Sequence, residues 1–204
     1  MVVPASPALR VGLAANIATT RRGLLTGAGA GLAGAGALLL GGCGGAASAG
    51  QTTTTELSPA VRRQDIEILT RALELERRTV AAYIAGIPLL PRAQAQAARQ
   101  FLSEELEHTG ELISLIKTSG GKASPRANSY QLGQPADAAG VIKLLHTLET
   151  MQIATYLQSI PRLAPGPTRA AVATILTVDS QHVAMLRLTQ GETPVPSAFV
   201  TGSE

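Results

Sequence analysis

Glu105-Leu-Glu-His108 and its later counterpart Asp179-Ser-Gln-His182 are the stretches that decide how this chain folds. A single glutamate precedes each histidine at nearly the same distance, Glu76 by 32 residues and Glu149 by 33 residues. Positions i and i+3 of an α-helix lie on one face about one turn apart, so the acid and the imidazole of each stretch can reach the same ion. A bundle of four helices can bring these four carboxylates and two imidazoles together around a pair of metal ions.

The likeness between the two halves extends to their tyrosines. Tyr83 and Tyr156 each follow the leading glutamate of their half by seven residues. Two helical turns put each hydroxyl roughly 10 Å along the axis from its own glutamate. We therefore expect both tyrosines to pack in the core near the ligands with their hydroxyls satisfied, and a redox tyrosine is the alternative.

The apolar spacing around these motifs predicts four helices of more than 20 residues each. Ser58-Pro59 suits a helix start, because serine can cap and proline suits the first position. Gly120-Gly121 suits a helix end. The predicted helices cover about 58–86, 91–120, 136–159 and 168–190.

The connections between these helices predict the topology. Short links join the first to the second helix and the third to the fourth, and residues 120–135 form one long connection between the pairs. We therefore predict an all-α chain, folded as an antiparallel four-helix bundle with one long crossover and built from two helix-pair repeats. The bundle spans 58–191, and a proline-containing tail, 192–204, packs along it.

The chain before the bundle has the composition of an export signal. Arg21-Arg22 stands ahead of an uncharged, glycine- and alanine-rich stretch that runs to Leu40, which resembles a twin-arginine signal. Leu40-Gly-Gly-Cys43 resembles a lipobox, in which Cys43 becomes lipidated. We predict a signal peptide with lipobox over 1–43 and a flexible linker over 44–57.

These two signals predict where the protein works. Export by the twin-arginine route and lipidation would anchor it at the outer face of the cytoplasmic membrane, in the cell envelope. A transmembrane helix is the alternative, since the apolar stretch approaches the roughly 20 residues that span a bilayer. Its glycines, however, make it a weak helix.

Composition excludes one class of partner. The net charge of +3 comes from Arg10, Arg21 and Arg22, which precede Cys43 with no acidic residue among them, so the remainder of the chain is neutral. We therefore expect no nucleic-acid binding. Aromatic residues make up only 2% of the chain and tryptophan is absent, so the core must consist of aliphatic side chains, which suits packed helices.

The predicted metal ligands are Glu76, Glu105, His108, Glu149, Asp179 and His182. Carboxylates mixed with imidazoles suit iron or manganese, and also zinc. Without a cation, four inward carboxylates would repel one another and be costly to bury. The pattern therefore predicts a pair of bound metal ions, with iron, manganese and zinc as the candidates.

Three further residues lie one turn from a predicted ligand. Glu104 and Glu111 flank His108 and could be spare ligands or hydrogen-bond partners of the ligands, with a solvated glutamate-rich face as the alternative. His146 precedes Glu149 by three residues, but its counterpart in the first half is a leucine. We expect His146 at the boundary of the site rather than on the metal.

Residues 60–190 resemble the ferritin-like superfamily, whose members carry Glu…Glu-x-x-His twice. With its export signals and the closing Pro194-Val-Pro-Ser-Ala-Phe199, the chain looks most like bacterial exported ferritin-like-domain proteins. The resemblance implies a di-iron or di-manganese carboxylate site held by the six residues above. Asp179 departs from the commoner glutamate, which would lengthen one ligand distance, admit a water or weaken the second metal site.

Three functions fit these patterns. The first is a di-metal envelope protein that oxidises or binds iron or handles oxygen or peroxide, in a ferroxidase-like or a peroxidase- or catalase-like reaction. The second is a non-enzymatic envelope lipoprotein that uses the bundle for binding or stress protection, with a structural metal or none. The third, an iron-storing cage, fits poorly with a lipid anchor on every subunit. The choice of metal, the oxidant, any enzymatic activity and the oligomeric state stay open at this point.

Overall fold

The structure is a computed structural model that describes residues 56–204. The predicted signal peptide, with Arg21, Arg22 and Cys43, lies outside this range, as does all but the end of the predicted linker. The described residues form four α-helices and no strand, so the predicted all-α class is confirmed. The helices are α1 (Pro59–Gly86), α2 (Arg92–Thr118), α3 (Ala138–Ser159) and α4 (Pro167–Thr189). Short 3₁₀ turns, Ile87–Leu89 and Ile160–Arg162, begin the two short links.

Local chemistry explains where the helices begin and end. The Ser58 hydroxyl accepts a hydrogen bond from the backbone N–H of Val61 at 3.3 Å and caps α1. The Asp137 carboxylate does the same for α3, accepting from the N–H of Gly140 at 2.8 Å. After α2, Gly120 adopts φ 84°, the left-handed conformation that glycine tolerates best. Because Asp137 caps α3, this helix starts at Ala138, slightly later than its apolar spacing predicts.

Neighbouring helices run antiparallel, in the order α1, α2, α4, α3 around the bundle. α1 packs closely on α2 and α3, and α3 packs closely on α4, whereas α2 and α4 touch less closely than the other neighbours. Gly86 lets α1 approach α3, because a Cβ atom there would lie 2.6 Å from a methyl carbon of Val141. Among neighbouring helices, α2 and α4 therefore pack least closely.

Two arginines of α1 hold the crossover against the bundle. Arg77 Nη1 donates to the backbone oxygens of Ser124 at 2.9 Å and Pro125 at 3.3 Å. Arg78 Nη2 donates to the backbone oxygen of Gln131 at 3.1 Å. Both arginines point away from the core, as expected from their places next to the inward Glu76. One turn of α1 therefore supplies a buried carboxylate and anchors the connection between the two repeats.

Along the bundle axis, two apolar clusters enclose a polar layer. One cluster includes Leu69, Leu73, Leu112, Ile116 and Val172, and the other includes Ala82, Ala98, Val141, Leu145 and Leu186. In every helix, the buried acids and histidines other than Asp65 fall between the residues of these two clusters. The fold therefore shields this polar layer from solvent at both ends.

The tail packs on α3 and α4. Arg187 Nε donates to the backbone oxygen of Thr193 at 2.8 Å, and Gly202 lies so close to α3 that a Cβ there would sit 2.5 Å from the Cα of Ala154.

Among the described helices, none combines the length and the apolar character that crossing a membrane requires.

Candidate metal centre

The polar layer contains all six predicted ligands. They are Glu76 from α1, Glu105 and His108 from α2, Glu149 from α3, and Asp179 and His182 from α4. Each is buried, and the most exposed of them, His108, retains 7% of its surface. The helical spacing read from the sequence accounts for this, since each side chain lies on the inward stripe of its own helix.

The ligand atoms of these residues form two overlapping groups. Glu76, His108 and Asp179 make one group, and Glu105, Glu149, Asp179 and His182 make the other. Within each group the potential ligand atoms all lie within 4.8 Å of one another. Because Asp179 belongs to both groups, the layer is built as two adjoining sites rather than one.

The imidazoles face the carboxylates through their Nδ1 atoms. His108 Nδ1 lies 3.3 Å from Asp179 Oδ1 and 3.8 Å from Glu76 Oε2. His182 Nδ1 lies 3.3 Å from Glu149 Oε1. Glu105 Oε1 lies between the two rings, 3.5 Å from the first Nδ1 and 3.3 Å from the second. Glu105 and Asp179 are therefore within reach of both sites, whereas Glu76 and Glu149 each face one.

Seven buried polar atoms of this layer have no hydrogen-bond partner among residues 56–204, which the structure describes. They are Glu76 Oε2, Glu105 Oε1, His108 Nδ1, Glu149 Oε2, both carboxylate oxygens of Asp179, and His182 Nδ1. Native structures leave few buried polar groups unpaired, and each costs about 1–3 kcal/mol. Carboxylate oxygens and imidazole nitrogens converging on one place are the donor set that iron, manganese or zinc takes. The residues present therefore fit a pair of divalent cations.

Each buried tyrosine orients the glutamate of the opposite repeat. Tyr83 donates its hydroxyl proton to Glu149 Oε1 at 2.6 Å, and Tyr156 donates to Glu76 Oε1. Burial raises the pKa of both tyrosines well above its usual value, so the hydroxyls remain protonated donors. The tyrosines thus pack in the core with satisfied hydroxyls, and the second oxygen of each glutamate has no partner among the described residues.

An amide that the sequence reasoning missed fixes Glu105. Gln152 Nε2 donates to Glu105 Oε2 at 3.0 Å, and its own Oε1 accepts from the hydroxyl of Thr79 at 2.9 Å. Gln152 and Thr79 each follow the leading glutamate of their half by three residues, so their places on the inward face could have revealed them. Asp179, the counterpart of Glu105, has no such donor.

Glu104 and Phe101 close the His182 side of the layer. Glu104 Oε2 lies 2.7 Å from His182 Nε2, so this predicted neighbour of the ligands bonds the histidine of α4 rather than His108 on its own helix. Phe101 stacks on His182 with ring centroids 4.2 Å apart, and the sequence reasoning missed this contact too. The carboxylate leaves Nδ1 of His182 turned toward the layer.

Two predicted neighbours of the site lie outside the layer. Glu111 is exposed and lines a surface groove together with His108. His146 is half-buried and is not brought into the cluster, because its place on α3 turns it toward other charges. Burial lowers the pKa of His146, and the charges that act on it are those of Glu192, Arg187 and Glu204.

Burial and mutual charge shift the pKa values in the layer. Burial, followed by the charge of Glu105, raises the pKa of Glu76 to about 8 and that of Glu149 to about 7. Burial opposes the charged imidazoles, but the neighbouring carboxylates, Glu105 foremost, outweigh it and raise the pKa of His108 to about 9 and of His182 to about 11.

Two acids of the layer shift in opposite directions. Burial, with the charges of the neighbouring glutamates, raises the pKa of Asp179 well above its usual value. Burial would also raise the pKa of Glu105, but the two histidines beside it outweigh burial and lower it. Protons can thus balance the charge of the layer, and a divalent cation must displace them in order to bind.

Comparison with known proteins agrees with this architecture. A family model described as a ferritin-like domain matches residues 64–192. A conserved hypothetical protein from Mycobacterium tuberculosis is similar in structure, with a TM-score of 0.62 and 21% identity over 68% of this chain and 99% of that chain. A structure of ferritin-like, diiron-carboxylate proteins from Bacillus anthracis str. Ames has a TM-score of 0.57 and 18% identity over 65% of this chain and 99% of that chain. No curated protein matches the chain in sequence.

Proposed function

The chain belongs to the ferritin-like domain family, and from that premise we propose that it is a di-metal carboxylate protein of the cell envelope that oxidises Fe(II) or handles oxygen or peroxide. The observation that carries the proposal is the convergence of seven unpartnered ligand atoms from four helices in one buried layer. The envelope location rests on the resemblance of Arg21-Arg22 and Cys43 to export and lipidation signals.

The distances in the buried layer support a role for each proposed ligand. His108 and Glu76 would hold one ion, His182 and Glu149 the other, and Glu105 and Asp179 would contact both. Bound iron or manganese supplies the electrons and polarises oxygen or peroxide.

The other residues of the layer prepare the ligands and exclude water. The hydroxyls of Tyr83 and Tyr156 and the amide of Gln152 hold three carboxylates in place. The apolar clusters at both ends keep water out. Ligands that are already oriented lose little freedom when they bind, which strengthens binding.

Among the reactions that fit, oxidation of Fe(II) demands least of the protein. The substrate is the metal ion itself, and each Fe(II) gives one electron to oxygen or peroxide as it becomes Fe(III). Carboxylates suit the higher charge of the product, because hard oxygen ligands bind hard cations. The diiron-carboxylate neighbour from Bacillus anthracis supports iron as the first ion to test. A catalase-like reaction of two manganese ions is the second version.

One observation favours a non-enzymatic alternative. The raised pKa values of Glu76, Glu149, His108 and His182 mean that protons can neutralise the layer in place of cations. An envelope protein could therefore keep this bundle for binding or stress protection without redox chemistry.

Metal content separates these functions. We expect about two Fe or Mn ions per chain by mass spectrometry of the full-length protein, purified in mild detergent without chelators. The variant Glu76→Ala/Glu149→Ala should lose them, and the exposed pair Glu67→Ala/Glu74→Ala should retain them. The loaded protein should then consume oxygen when Fe(II) is added. A wild-type protein that folds normally and holds no metal would contradict the proposal and favour the alternative.

A further inference from the structure

A surface groove of about 380 Å³ runs between α2 and α4, the neighbouring helices that pack least closely. Its lining consists of Glu107, His108 and Glu111 from α2 and Ala171, Thr174, Ile175 and Val178 from α4. The two glutamates are exposed, and the lining includes no lysine or arginine. The groove therefore combines an acidic wall with a neutral wall and has His108 in its lining.

We propose that this groove captures divalent cations and passes them to the metal centre through His108. Glu107 and Glu111 lie four residues apart, so they project from one face of α2. A cleft lined by one sign of charge concentrates counter-ions and speeds their arrival by 10 to about 10³-fold. Two carboxylates with no lysine or arginine in the same lining suit a doubly charged ion.

His108 connects the groove to the buried layer. It keeps 7% of its surface and lines the groove, while its Nδ1 faces Asp179 and Glu76 inside. That nitrogen has no hydrogen-bond partner. An ion that reaches this imidazole from the groove meets the first ligands of the centre next.

The opposite half of the site is closed to such an approach. His182 keeps 1% of its surface, its Nε2 faces Glu104 at 2.7 Å, and the ring of Phe101 covers it. Val178 occupies the place in the second repeat that corresponds to Glu104, and it lines the groove beside His108. This difference between the repeats makes the His108 side the accessible one.

Uptake kinetics test the role of the acidic wall. The full-length protein, freed of metal with a chelator in mild detergent, is mixed rapidly with Co(II), and the visible absorbance of bound Co(II) is followed. Glu107→Gln/Glu111→Gln should take up Co(II) about tenfold more slowly and reach the same final absorbance. Glu67→Gln/Glu74→Gln removes the same charge from the exposed face of α1 and should match the wild type.

A second pair of variants tests the groove by its shape. Thr174 and Thr177 are both exposed on α4, and each hydroxyl donates to the backbone oxygen four residues earlier at 2.9 Å. Only Thr174 lines the groove. Thr174→Phe should slow Co(II) uptake, and Thr177→Phe should leave it unchanged.

The outcomes separate this inference from the proposed function on which it rests. No Co(II) uptake by folded wild-type protein would overturn the proposed function, and the groove's role with it. Uptake at the same rate in all variants would overturn the groove alone. A lower final absorbance at an unchanged rate would show that the two glutamates are ligands, which also overturns transit.

Discussion

Raising the pH should destabilise the metal-free protein, and replacing Glu76 and Glu149 by glutamine should remove about half of this effect. Burial raises the pKa of Glu76 to about 8 and of Glu149 to about 7, from an ordinary 4.5. Despite burial, the neighbouring carboxylates raise the pKa of His108 to about 9 and of His182 to about 11, from 6.5. All four shifts are upward, so the folded chain binds protons that the unfolded chain releases. The stability that these four groups contribute is therefore greatest at low pH and falls as the pH rises through these values.

The magnitude follows from the number of protons. At pH 7 these values leave about nine-tenths of a proton on Glu76, half on Glu149 and nearly one on each histidine. The unfolded chain keeps about a quarter of a proton on each imidazole and almost none on the carboxylates. The difference is about three protons, or ~4 kcal/mol of unfolding free energy per pH unit. Against a total stability of about 5–15 kcal/mol, the metal-free protein should unfold or rearrange in mild alkali.

Urea unfolding measures this slope. Unfolding free energies of chelator-treated protein are obtained by circular dichroism at several pH values between about 5.5 and 8. Glu76→Gln/Glu149→Gln fixes both side chains in a neutral form that can still accept from the tyrosines, so its slope should fall to ~2 kcal/mol per pH unit. Glu67→Gln/Glu74→Gln should follow the wild type. A wild-type slope below ~1.4 kcal/mol per pH unit, less than one proton, or a variant parallel to the wild type, would refute this reasoning.

Two substitutions test the supporting hydrogen bonds. Tyr83→Phe leaves a buried carboxylate without its donor and should lower the unfolding free energy by about 1–3 kcal/mol. Such a loss lowers the melting temperature by roughly 2–4 °C per kcal/mol. Tyr130→Phe removes a hydroxyl that has no partner among the described residues and should change little. Equal losses in the two variants would contradict the role of the first hydroxyl. Glu104→Gln weakens the hold on the histidine it contacts and should lower Mn(II) affinity about 10–100-fold by titration calorimetry, whereas Glu67→Gln should not. An unchanged affinity would show that Glu104 does not position a ligand.

The helices could be predicted from the sequence because their signals are local. Ser58 caps α1 and Asp137 caps α3, and both act within three residues along the chain. The crossover could be placed because 120–135 lacks apolar periodicity, and the structure leaves it without helix. How the crossover is held could not be predicted, since Arg77 and Arg78 reach residues more than 40 positions later.

The site could be predicted only as far as the inward face of each helix. Spacing puts Glu105 and His108 on one face, and the structure brings them to the residues of the other repeat. That spacing cannot show which residues meet across helices, because this depends on how α2 is rotated against α4. The spacing therefore predicts Glu104 beside His108, whereas in the structure Glu104 contacts His182. Metal ligation itself stays a prediction until the metal content is measured.

The two repeats have the same helical arrangement but differ in the side chains that face the metal centre. These differences favour the site at His182. Glu105 is held by Gln152, and His182 by Glu104 and Phe101. Asp179, which lies within reach of both sites, has both oxygens unpartnered, and His108 lies beside the open groove. Ligands fixed in advance lose less freedom on binding than ligands that must be ordered. Under the proposed function, the His182 half would therefore hold its ion more firmly, and the His108 half would exchange its ion with the groove. The Glu104→Gln titration tests the first of these halves and the Co(II) uptake kinetics test the second. Two sites that hold their ions with unequal strength suit the oxidation of Fe(II), because an ion that is the substrate must arrive and leave while the metal centre stays intact.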